Sequence, residues 1–519
     1  MLDFYGRYLL YYTNCITIPC DIARGFVRRA VLFQPYFFKE GDSGLLKRMK
    51  GFFDRAFWNA VLPLAIPIAL QNLLMTSFRL IDTLMVGRLG DVSIAAVGLA
   101  GWASFLVELL AFGMSSGAAV FLAQYHGAGN REGIQKTYGM MLLFMVPMGL
   151  VFTVGVALFP AFVMKLFTED AALIAEGARY LRFACVSYVS ISVNLAFSTL
   201  LRCTEKVKIP MWTSGFSAAL NAALNYIFIF GAFGLPAMGV VGAGLATAIS
   251  SLANPVLMFA ISAAQKNVLI APLRQMFALK GFFKEFWSRA LSVLLNEMFW
   301  SFAIIGVNMV LGRMGTDNYA ALTVERTIEG LVFVFFVGIC NACNILVGKS
   351  IGAGNIEQGK HYARRFLAFT PLLGAVTGLM ILGLRHPLVG LFDLSTAASG
   401  MAKTLLLIFS IDACVRYIPY VEVVGIFRAG GDTRVGLITD LVSHYVFILP
   451  AVILAGLVFK LSFLATYIVM LAVDDVSKLV VTIPYFHSMR WIKPITAQVD
   501  ASGEREEILL QNAEESGIL

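Results

Sequence analysis

Long apolar runs separated by short polar segments fill the chain from about residue 50 to residue 490. Residues 56–78 and 137–164 hold no Asp, Glu, Lys or Arg, and each run is long enough for a helix that crosses a bilayer, which needs about 20 residues. Residues 209–265 are also uncharged, but this run is too long for one span. Because GAFGLPAMG at 231–239 places a turn in its middle, we expect two helices there.

The whole pattern predicts an all-α integral membrane protein with twelve transmembrane helices. They cover approximately 57–88, 93–125, 138–164, 176–203, 209–231, 237–264, 286–312, 318–348, 362–385, 400–428, 434–457 and 461–489. Helices are expected because lipid offers no hydrogen-bond partner to an unpaired backbone group.

Two short motifs occur twice at a fixed spacing. GAGN at 127–130 returns at 352–355, and GRLG at 87–90 returns as GRMG at 312–315, in both cases 225 positions later. The chain therefore has two homologous halves. Because an even number of spans separates equivalent motifs, both halves have the same orientation and are related by an axis along the membrane normal.

Each GAGN stretch is predicted to be the turn between the second and third helix of its half. Glycine allows the tight reversal and Asn can cap the next helix. A looser repeat pairs Arg202 in LLRCTEKVK with Arg428 in IFRAGGDTR, one residue out of step with the others.

Composition and charge agree with a membrane protein. Hydrophobic residues make up 59% and charged residues 14% of the chain, which is not the composition of a soluble protein. Lys and Arg gather before the first span, in every second loop and after the last span, which predicts that both termini are cytoplasmic. The net charge of +8 needs no nucleic-acid partner, because basic residues beside anionic lipid account for it. Seven cysteines, an odd number, argue against a disulfide framework.

The predicted organisation has four parts. They are a cytoplasmic N-terminal extension at 1–50, a six-helix bundle at 51–270, a second six-helix bundle at 271–490 and a cytoplasmic tail at 491–519. The extension interleaves aromatic residues with Arg but lacks the order of a signal peptide. Two interpretations stay open: an interfacial helix on the cytoplasmic leaflet, or a start codon assigned too far upstream, since Met49 opens a normal lead-in to the first span.

Several motifs, in order along residues 50–490, resemble those of one transporter family. They are PIALQNLLMTSFRLIDTLMVGRLGDVSIAAVGLA at 67–100, the two GAGN loops, LLRCTEKVKIPM, the block at 220–250 and FRAGGDTR. In this order they resemble multidrug and toxic compound extrusion (MATE) transporters. The resemblance implies two pseudo-symmetric six-helix bundles that face each other across a central cavity. It also implies export of amphipathic, often cationic organic compounds, driven by an inward proton or sodium gradient.

Ionisable side chains inside spans need a reason, because each costs about 2.5–3.5 kcal/mol on insertion scales. In the first half the main one is Asp82, with Arg79 one turn before it. One interpretation is a local ion pair with Arg79 that holds the helix. The other is a carboxylate that faces the cavity and takes up the coupling cation. The resemblance favours the second interpretation, because Asp82 stands where the family's first-helix aspartate is implicated in coupling.

The resemblance also implies a pocket around this aspartate. Its expected cavity-lining residues are Tyr180, Asn221, Asn225 and Thr247. Pro67 corresponds to a proline at which the first helix is proposed to bend. The chain departs from proton-coupled archaeal members at Asn225, where they have a second acid, so a relay of two carboxylates is not expected here.

The second half carries more ionisable residues within its predicted spans. Asp412 with Arg416 and Asp474 with Lys478 stand at i, i+4 spacing, which predicts ion pairs. Glu297 differs, since no basic residue lies within a turn of it on its own helix. Its apolar neighbours predict an unpaired carboxylate suited to reversible protonation or to cation binding. The resemblance aligns Glu297 with the helix-seven glutamate of sodium-coupled bacterial and of eukaryotic members.

Helix ten matches the family less well. The position expected for its aspartate holds Tyr417, with Asp412 and Glu422 on either side. The candidates for cation coupling are thus Asp82, Glu297, Asp412 and Glu422. Glu325 and Tyr417 are further cavity-lining candidates. Pro419 is expected to interrupt the helix and to free carbonyl groups that an ion or polar side chains could satisfy.

The predicted function is therefore a secondary active antiporter in the cytoplasmic cell membrane. Its expected partners are a small organic substrate and membrane lipid, with no cofactor or resident metal beyond the coupling H⁺ or Na⁺, and the chain is expected to be a monomer. The alternative is a lipid-linked saccharide flippase of the same wider superfamily, although such proteins tend to have cavity Arg and Lys for pyrophosphate. An enzyme lacks support, because HExxH does not occur and the five histidines are scattered.

Overall fold

The computed structural model describes residues 54–270, 272–277, 279, 281–392 and 394–495, without the side chains of residues 78–80 and 273. Its regular structure in these ranges is helical, and the one β feature there is an isolated bridge between Gly431 and Ile492. This confirms the all-α prediction. The prediction for the N-terminal extension lies outside the described residues.

Within these ranges, twelve long helices form two bundles of six. The first bundle holds α1 (Arg55–Gly87), α2 (Asp91–Gly127), α3 (Arg131–Leu158), α4 (Ala171–Ala184 and Val186–Cys203, with a break at Cys185), α5 (Lys208–Phe230) and α6 (Val240–Ala264). Short helical turns at Pro160–Lys165, Ala232–Gly234 and Leu273–Met276 lie in the connections.

The second bundle repeats this order. It holds α7 (Phe282–Gly312), α8 (Thr316–Gly352), α9 (Ile356–Val389), α10 (Thr396–Gly430), α11 (Arg434–Val458) and α12 (Phe463–His487). The predicted number of helices is confirmed, and their ends differ because several helices continue into the polar turns. For example, α3 begins at Arg131 in the structure, whereas the hydrophobic pattern predicts its start at 138.

Ten of the helices in the described residues are long and apolar enough to cross a membrane by composition alone. The two long helices that fall short are α5 and α12. The first has Asn221 and Asn225 one turn apart, and the second has Asp474, Asp475 and Lys478 near its middle. Since these side chains make hydrogen bonds or ion pairs inside the bundles, the two helices pack beside their neighbours in spite of their polar and charged residues.

The two GAGN turns have the predicted capping. The Asn130 side chain accepts a hydrogen bond from the Gly133 backbone N–H at 2.8 Å, which caps α3. The Asn355 side chain does the same for Gln358 at 3.1 Å, which caps α9. We call the end of the molecule that carries these turns the GAGN end.

At the GAGN end the two bundles are in direct contact. The helix ends of α2 and α8 approach so closely that a Cβ atom on Gly127 would lie 1.9 Å from the Lys349 carbonyl oxygen, and one on Gly352 would lie 1.9 Å from that of Gln124. The Gln124 side chain also donates to the Ala429 carbonyl oxygen at 2.8 Å. Only glycine permits this packing. The contact is reciprocal, since each helix places a glycine against a backbone carbonyl group of the other, as the sequence repeat requires.

An apolar cluster and a terminal segment extend this contact. Phe57 of α1 packs edge-on against Phe366 of α9, with ring centroids 5.3 Å apart. After α12, Trp491 is fully buried, and Ile495 is buried in the apolar core of the first bundle. The Ile495 backbone N–H donates to the Gln124 side chain at 2.7 Å. Residues 491–495 are therefore packed structure, and the rest of the predicted tail lies outside the described residues.

The expected interruption of helix ten at Pro419 is wrong. The chain stays helical to Tyr420 and continues as a π-helix over Val421–Phe427 before α10 ends. A π-turn bonds each N–H one residue further back, so it absorbs the missing proline donor without a break. Helix α1 likewise runs helical through Pro63 and Pro67, and the bend at Pro67 stays a prediction.

Candidate functional site

In the first bundle, Asp82 lies at the end of a chain of amides. The Asn225 side chain, which is fully buried, donates to Asp82 Oδ1 at 2.5 Å and to Asn221 Oδ1 at 3.1 Å. Asn221 in turn donates to Ser250 Oγ of α6 at 3.1 Å. The i, i+4 spacing on α5 thus places both amides on one face, as the sequence indicated, and directs that face at α1 and α6.

The remaining first-bundle candidates join the same pocket. Tyr180 of α4 is buried, and its hydroxyl group faces both Thr247 of α6 and the Asp82 carboxyl group. The structure therefore brings together all five predicted residues of this pocket, while their roles stay predictions. The alternative pair between Asp82 and Arg79 involves a side chain outside the described residues.

In the second bundle, the expectation that Glu297 is unpaired is wrong. Arg428 Nη2 lies 2.9 Å from Glu297 Oε1, and the Arg428 side chain is only 3% exposed. The partner comes from α10, 131 residues away along the chain, so a search along the glutamate's own helix could not find it. An arginine so deeply buried needs a carboxylate or several acceptors to offset its desolvation.

Arg428 has two further partners. Its Nη2 also donates to Asn296 Oδ1 at 2.9 Å, and its Nη1 donates to Ser116 Oγ of α2 at 2.8 Å. Asn296 donates from its Nδ2 to Asp440 Oδ2 of α11 at 2.6 Å. We call Asn296, Arg428 and Asp440 the second-bundle triad.

The triad has a counterpart in the first bundle, which we call the first-bundle triad: Gln71, Arg202 and Ser214. Arg202 Nη2 donates to Gln71 Oε1 at 2.6 Å, and Gln71 Nε2 donates to Ser214 Oγ at 2.9 Å. Its members stand 225 or 226 positions before those of the second-bundle triad. The repeat that relates Arg202 to Arg428 is the sequence signal for both triads, because the same spacing relates Gln71 to Asn296 and Ser214 to Asp440.

Charged side chains continue from the second-bundle triad toward the opposite end. Lys478 Nζ lies 3.8 Å from Asp440 Oδ1 and 2.7 Å from Asp474 Oδ1, which confirms the predicted pair on α12. Arg416 Nη1 lies 3.8 Å from Asp474 Oδ2 and 3.7 Å from Asp412 Oδ2, which confirms the second predicted pair. Arg416 Nε also donates to Glu329 Oε1 at 3.1 Å. Four helices are therefore joined by one ionic network.

Of the other second-bundle candidates, Glu325 and Tyr417 face the Arg416 end of the ionic network, and Glu422 lies apart from it. Glu325 accepts a hydrogen bond from the Tyr467 hydroxyl group at 3.1 Å. Tyr417 is buried and stacks on Phe336, with ring centroids 3.7 Å apart. Glu422 is fully buried and faces Thr482 of α12 without a well-formed hydrogen bond to its carboxylate oxygens.

The coupling candidates of the second half thus do not converge on one site. In the described residues Asp412 belongs to the ionic network, Glu297 binds Arg428 of the second-bundle triad, and Glu422 contacts neither group. No group of three or more His, Cys, Asp or Glu within those residues is arranged to hold a metal ion.

Outside the spans, one polar cluster joins the bundles at the GAGN end. Glu205, in the α4–α5 loop, binds Lys349 Nζ of α8 at 2.7 Å, and its other oxygen lies 3.8 Å from His126 Nε2. The neighbouring His126 and then Lys349 lower the pKa of the Glu205 carboxyl group from 4.5 to about 2. The loop and α8 are therefore held by a carboxylate that stays ionised at neutral pH.

A cavity of about 690 Å³ lies beside this cluster. It is lined by α1, the α4–α5 loop, α8 and the first turns of α9, including Asn59, Lys208, Lys349 and Tyr362. It contains none of the predicted site residues.

Two duplicated bundles of long apolar helices, each with a carboxylate held between its helices, define a polytopic membrane transport protein. The MatE family model matches residues 67–227 and 292–454, once in each half and over more than half of the chain. The two matches begin as far apart as the repeated motifs do. The chain therefore belongs to the MATE family of membrane transporters.

Individual relatives and structures agree with this assignment. A probable multidrug resistance protein NorM of Thermotoga maritima is 25% identical over 447 residues, which cover 83% of this chain and 93% of that protein. A probable multidrug resistance protein YoeA of Bacillus subtilis is 27% identical over 361 residues, which cover 68% of this chain and 77% of that protein. A crystal structure of a MATE in the bent conformation has a TM-score of 0.75 at 20% identity, over 85% of this chain and 97% of that chain. This similarity shows a shared fold.

Proposed function

We propose that the protein is a secondary active exporter of amphipathic, cationic organic compounds, driven by an inward H⁺ or Na⁺ gradient. The observation that carries the proposal is the presence in each bundle of a partly buried carboxylate held between helices, Asp82 on amide donors and Glu297 on Arg428. Buried charge at membrane depth is unfavourable, and reversible loading with a small cation is a function that accounts for it. The relatives described as multidrug resistance proteins support a drug-like cargo.

The proposal includes an orientation. The GAGN end is placed in the cytoplasm with both termini, so the conformation described here is closed to the cytoplasm. The excess of Lys and Arg in the loops of this end supports that placement. Single cysteines at Arg131 and Arg313, in a protein freed of its native cysteines, should react differently with an impermeant maleimide in intact cells, and only the one at 313 should be labelled.

The function is tested by efflux from proteoliposomes under an imposed gradient. The protein is expected to release an organic cation, such as tetraphenylphosphonium or ethidium, faster under an inward gradient of one of the two ions. Asp82→Asn and Glu297→Gln should each remove most of the gradient-driven component. If neither gradient accelerates efflux of any tested cation and both substitutions are silent, the protein is not such an exporter.

The flippase alternative is separated by the same preparation. In the second bundle, Arg416, Arg428 and Lys478 are engaged by carboxylates, so these cationic groups are already neutralised within the protein. This supports a cargo of positive rather than pyrophosphate charge. Translocation of a fluorescent lipid pyrophosphate without any cation efflux would favour the flippase. We also infer a monomer, which light scattering of the solubilised protein tests.

A further inference from the structure

The Arg428 side chain connects a candidate coupling carboxylate with the opposite bundle. One guanidinium nitrogen, Nη2, binds Asn296 and Glu297 on α7, and the other, Nη1, donates to Ser116 on α2. Arg428 stands two residues before the end of α10, where Ala429 accepts a hydrogen bond from Gln124 of the first bundle. The same short segment therefore touches Glu297 and the contact between the bundles.

The first-bundle triad makes no corresponding link in the described part of the chain. The hydrogen bond of Arg202 described there is with Gln71 of its own bundle. The residue that corresponds to Ser116 by the 225-position repeat is Asn341, and its amide donates to the Val337 carbonyl oxygen of its own helix at 2.8 Å. Of the two triad arginines, it is thus Arg428, the one that faces a carboxylate, whose described hydrogen bonds connect the bundles.

A guanidinium group is planar, so the direction of one N–H pair fixes that of the other. With Glu297 ionised, a charge-assisted hydrogen bond anchors Nη2 and aims Nη1 at Ser116. A proton or Na⁺ on the Glu297 carboxylate cancels most of this attraction, and the buried guanidinium then lacks a counter-charge. Its other hydrogen bonds, including the one across the bundles, are no longer held in place.

We propose that Arg428 is the positioning residue through which loading of Glu297 controls the contact between the bundles at the GAGN end. The inference rests on the proposed function only in that Glu297 takes up the coupling cation. With Glu297 empty, the GAGN end is closed, as in this structure. With Glu297 loaded, Arg428 releases Ser116 and the GAGN end opens. This order is the one an antiporter needs, because the cation enters from the far side before the cytoplasmic side opens.

Other ionisable groups also face this site. Tyr420, from the same helix as Arg428, and Asp440, from α11, both face Glu297. Cys340 of α8 faces Arg428 and Tyr420. A pH response of the contact is therefore assigned to the glutamate only where Glu297→Gln removes it.

The experiment measures the distance between the bundles directly. Spin labels at Arg131→Cys of α3 and Glu357→Cys of α9 flank the two GAGN turns on exposed positions. They are introduced into the full chain after replacement of its seven native cysteines, and distances are recorded in nanodiscs between pH 5 and 8, with and without Na⁺. The test variants are Glu297→Gln and Ser116→Ala. The control is Ser115→Ala, whose hydroxyl contacts Met145 within the first bundle.

Glu297→Gln is expected to favour the open GAGN end at every pH and to lose the response to the loading ion. Ser116→Ala leaves the carboxylate and its arginine intact, and should still raise the open-to-closed ratio of the unloaded protein by about fivefold, the effect of one hydrogen bond. Ser115→Ala should behave as the parent protein. The inference is overturned if Ser116→Ala matches the control, or if Glu297→Gln stays closed and keeps the parent response.

This result is separable from that of the transport assay, because the distances need no substrate and no gradient. If efflux fails but Ser116→Ala and Glu297→Gln open the GAGN end, the link through Arg428 stands and the exporter proposal falls. If efflux is coupled and depends on Glu297 while Ser116→Ala is silent, the exporter proposal stands and the link falls. Rescue by Ser116→Thr, which restores a hydroxyl group, is expected to return the ratio toward that of the parent.

Discussion

The two bundles contain the same arrangement of polar side chains, but only the arrangement in the second bundle includes carboxylates. In the first-bundle triad an amide lies between an arginine and a serine, and in the second-bundle triad an amide lies between an arginine and an aspartate. The residue after the amide also differs. Asn72 donates to the Ile68 carbonyl oxygen of its own helix, whereas Glu297 binds the arginine.

This difference separates a structural role from a functional one. Both bundles need the amide and the arginine. In the first bundle these side chains connect the end of α4 with α1 and α5, and in the second they connect the end of α10 with α7 and α11. Only the second bundle adds carboxylates to them, and only there does the described arginine reach the other bundle. In the first bundle the corresponding acid lies elsewhere, at Asp82, against neutral amides. The two bundles thus share one arrangement of an amide and an arginine, but their carboxylates stand at different positions in the repeat.

The largest effect is expected from removal of the two arginines. Arg428→Met leaves Glu297 buried without its partner, and we expect a loss of about 3–5 kcal/mol in the free energy of unfolding. Arg202→Met removes one hydrogen bond to a neutral amide, so its loss should stay below about 3 kcal/mol. Thermal unfolding of the solubilised proteins, followed by tryptophan fluorescence, compares the two.

A double variant checks the cause of this difference. If Arg428 is needed for the charge of Glu297, then Glu297→Gln added to Arg428→Met should recover part of the loss, because neither charge remains buried alone. Asn72→Ala added to Arg202→Met has no charge to relieve and should recover nothing. Equal losses for both arginines, with no recovery in either double variant, would contradict the comparison.

Pairs within one helix were predictable, and pairs between helices were not. Asp412 with Arg416 and Asp474 with Lys478 follow from i, i+4 spacing, because side chains one turn apart share a helix face. By the same criterion Glu297 has no partner, because no basic residue lies within one turn of it on its own helix. Its partner depends on how α7 packs against α10, and the hydrophobic pattern of either helix carries no information about that packing.

The fold was predictable to a larger extent, since the length of an apolar run is set by the bilayer and the repeat sets the symmetry. The expectation at Pro419 was wrong because it treated a missing donor as a break, while the backbone widened to a π-turn. The pocket around Asp82 could be placed only through the family resemblance. Spacing on α5 alone allowed packing contacts equally well.

The next prediction concerns the glycine contacts at the GAGN end, where the two bundles are alike. Gly352→Ala and Gly127→Ala each place a methyl group against the backbone of the opposite helix, and we expect each to destabilise the closed GAGN end by about 3 kcal/mol, the upper range for overpacking. The spin-label distance between the two GAGN turns should lengthen in both. Gly101→Ala on α2 and Gly330→Ala on α8 meet open space and serve as controls. A response to one substitution and not to the other would break the equivalence of the bundles.

A smaller effect is expected at the first-bundle acid. Asn225→Ala removes the donor that faces Asp82, and loss of this hydrogen bond to a partly buried carboxylate should cost about 1–3 kcal/mol of stability. Asn221→Ala keeps this hydrogen bond and removes only the next amide, so its cost should be lower. Thermal unfolding at one pH ranks the two variants. Equal costs would show that the amides act as packing contacts and that Asp82 has no special dependence on Asn225.

The smallest effect concerns the polar cluster at the GAGN end. Because Glu205 has a pKa lowered to about 2, its contribution to stability is fully present above its ordinary pKa and is lost as the pH falls from about 4.5 toward 2. The group is partly exposed, so Glu205→Gln should cost only about 0.2–1 kcal/mol at pH 7. The unfolding free energies of parent and variant should differ at neutral pH and should converge as the pH falls toward 2. Since Glu205 does not titrate in the working range, Glu205→Gln should leave the pH response of the spin-label distance unchanged. A variant that abolished this response would assign the pH dependence of the GAGN end to the loop cluster and not to the carboxylate of the second bundle.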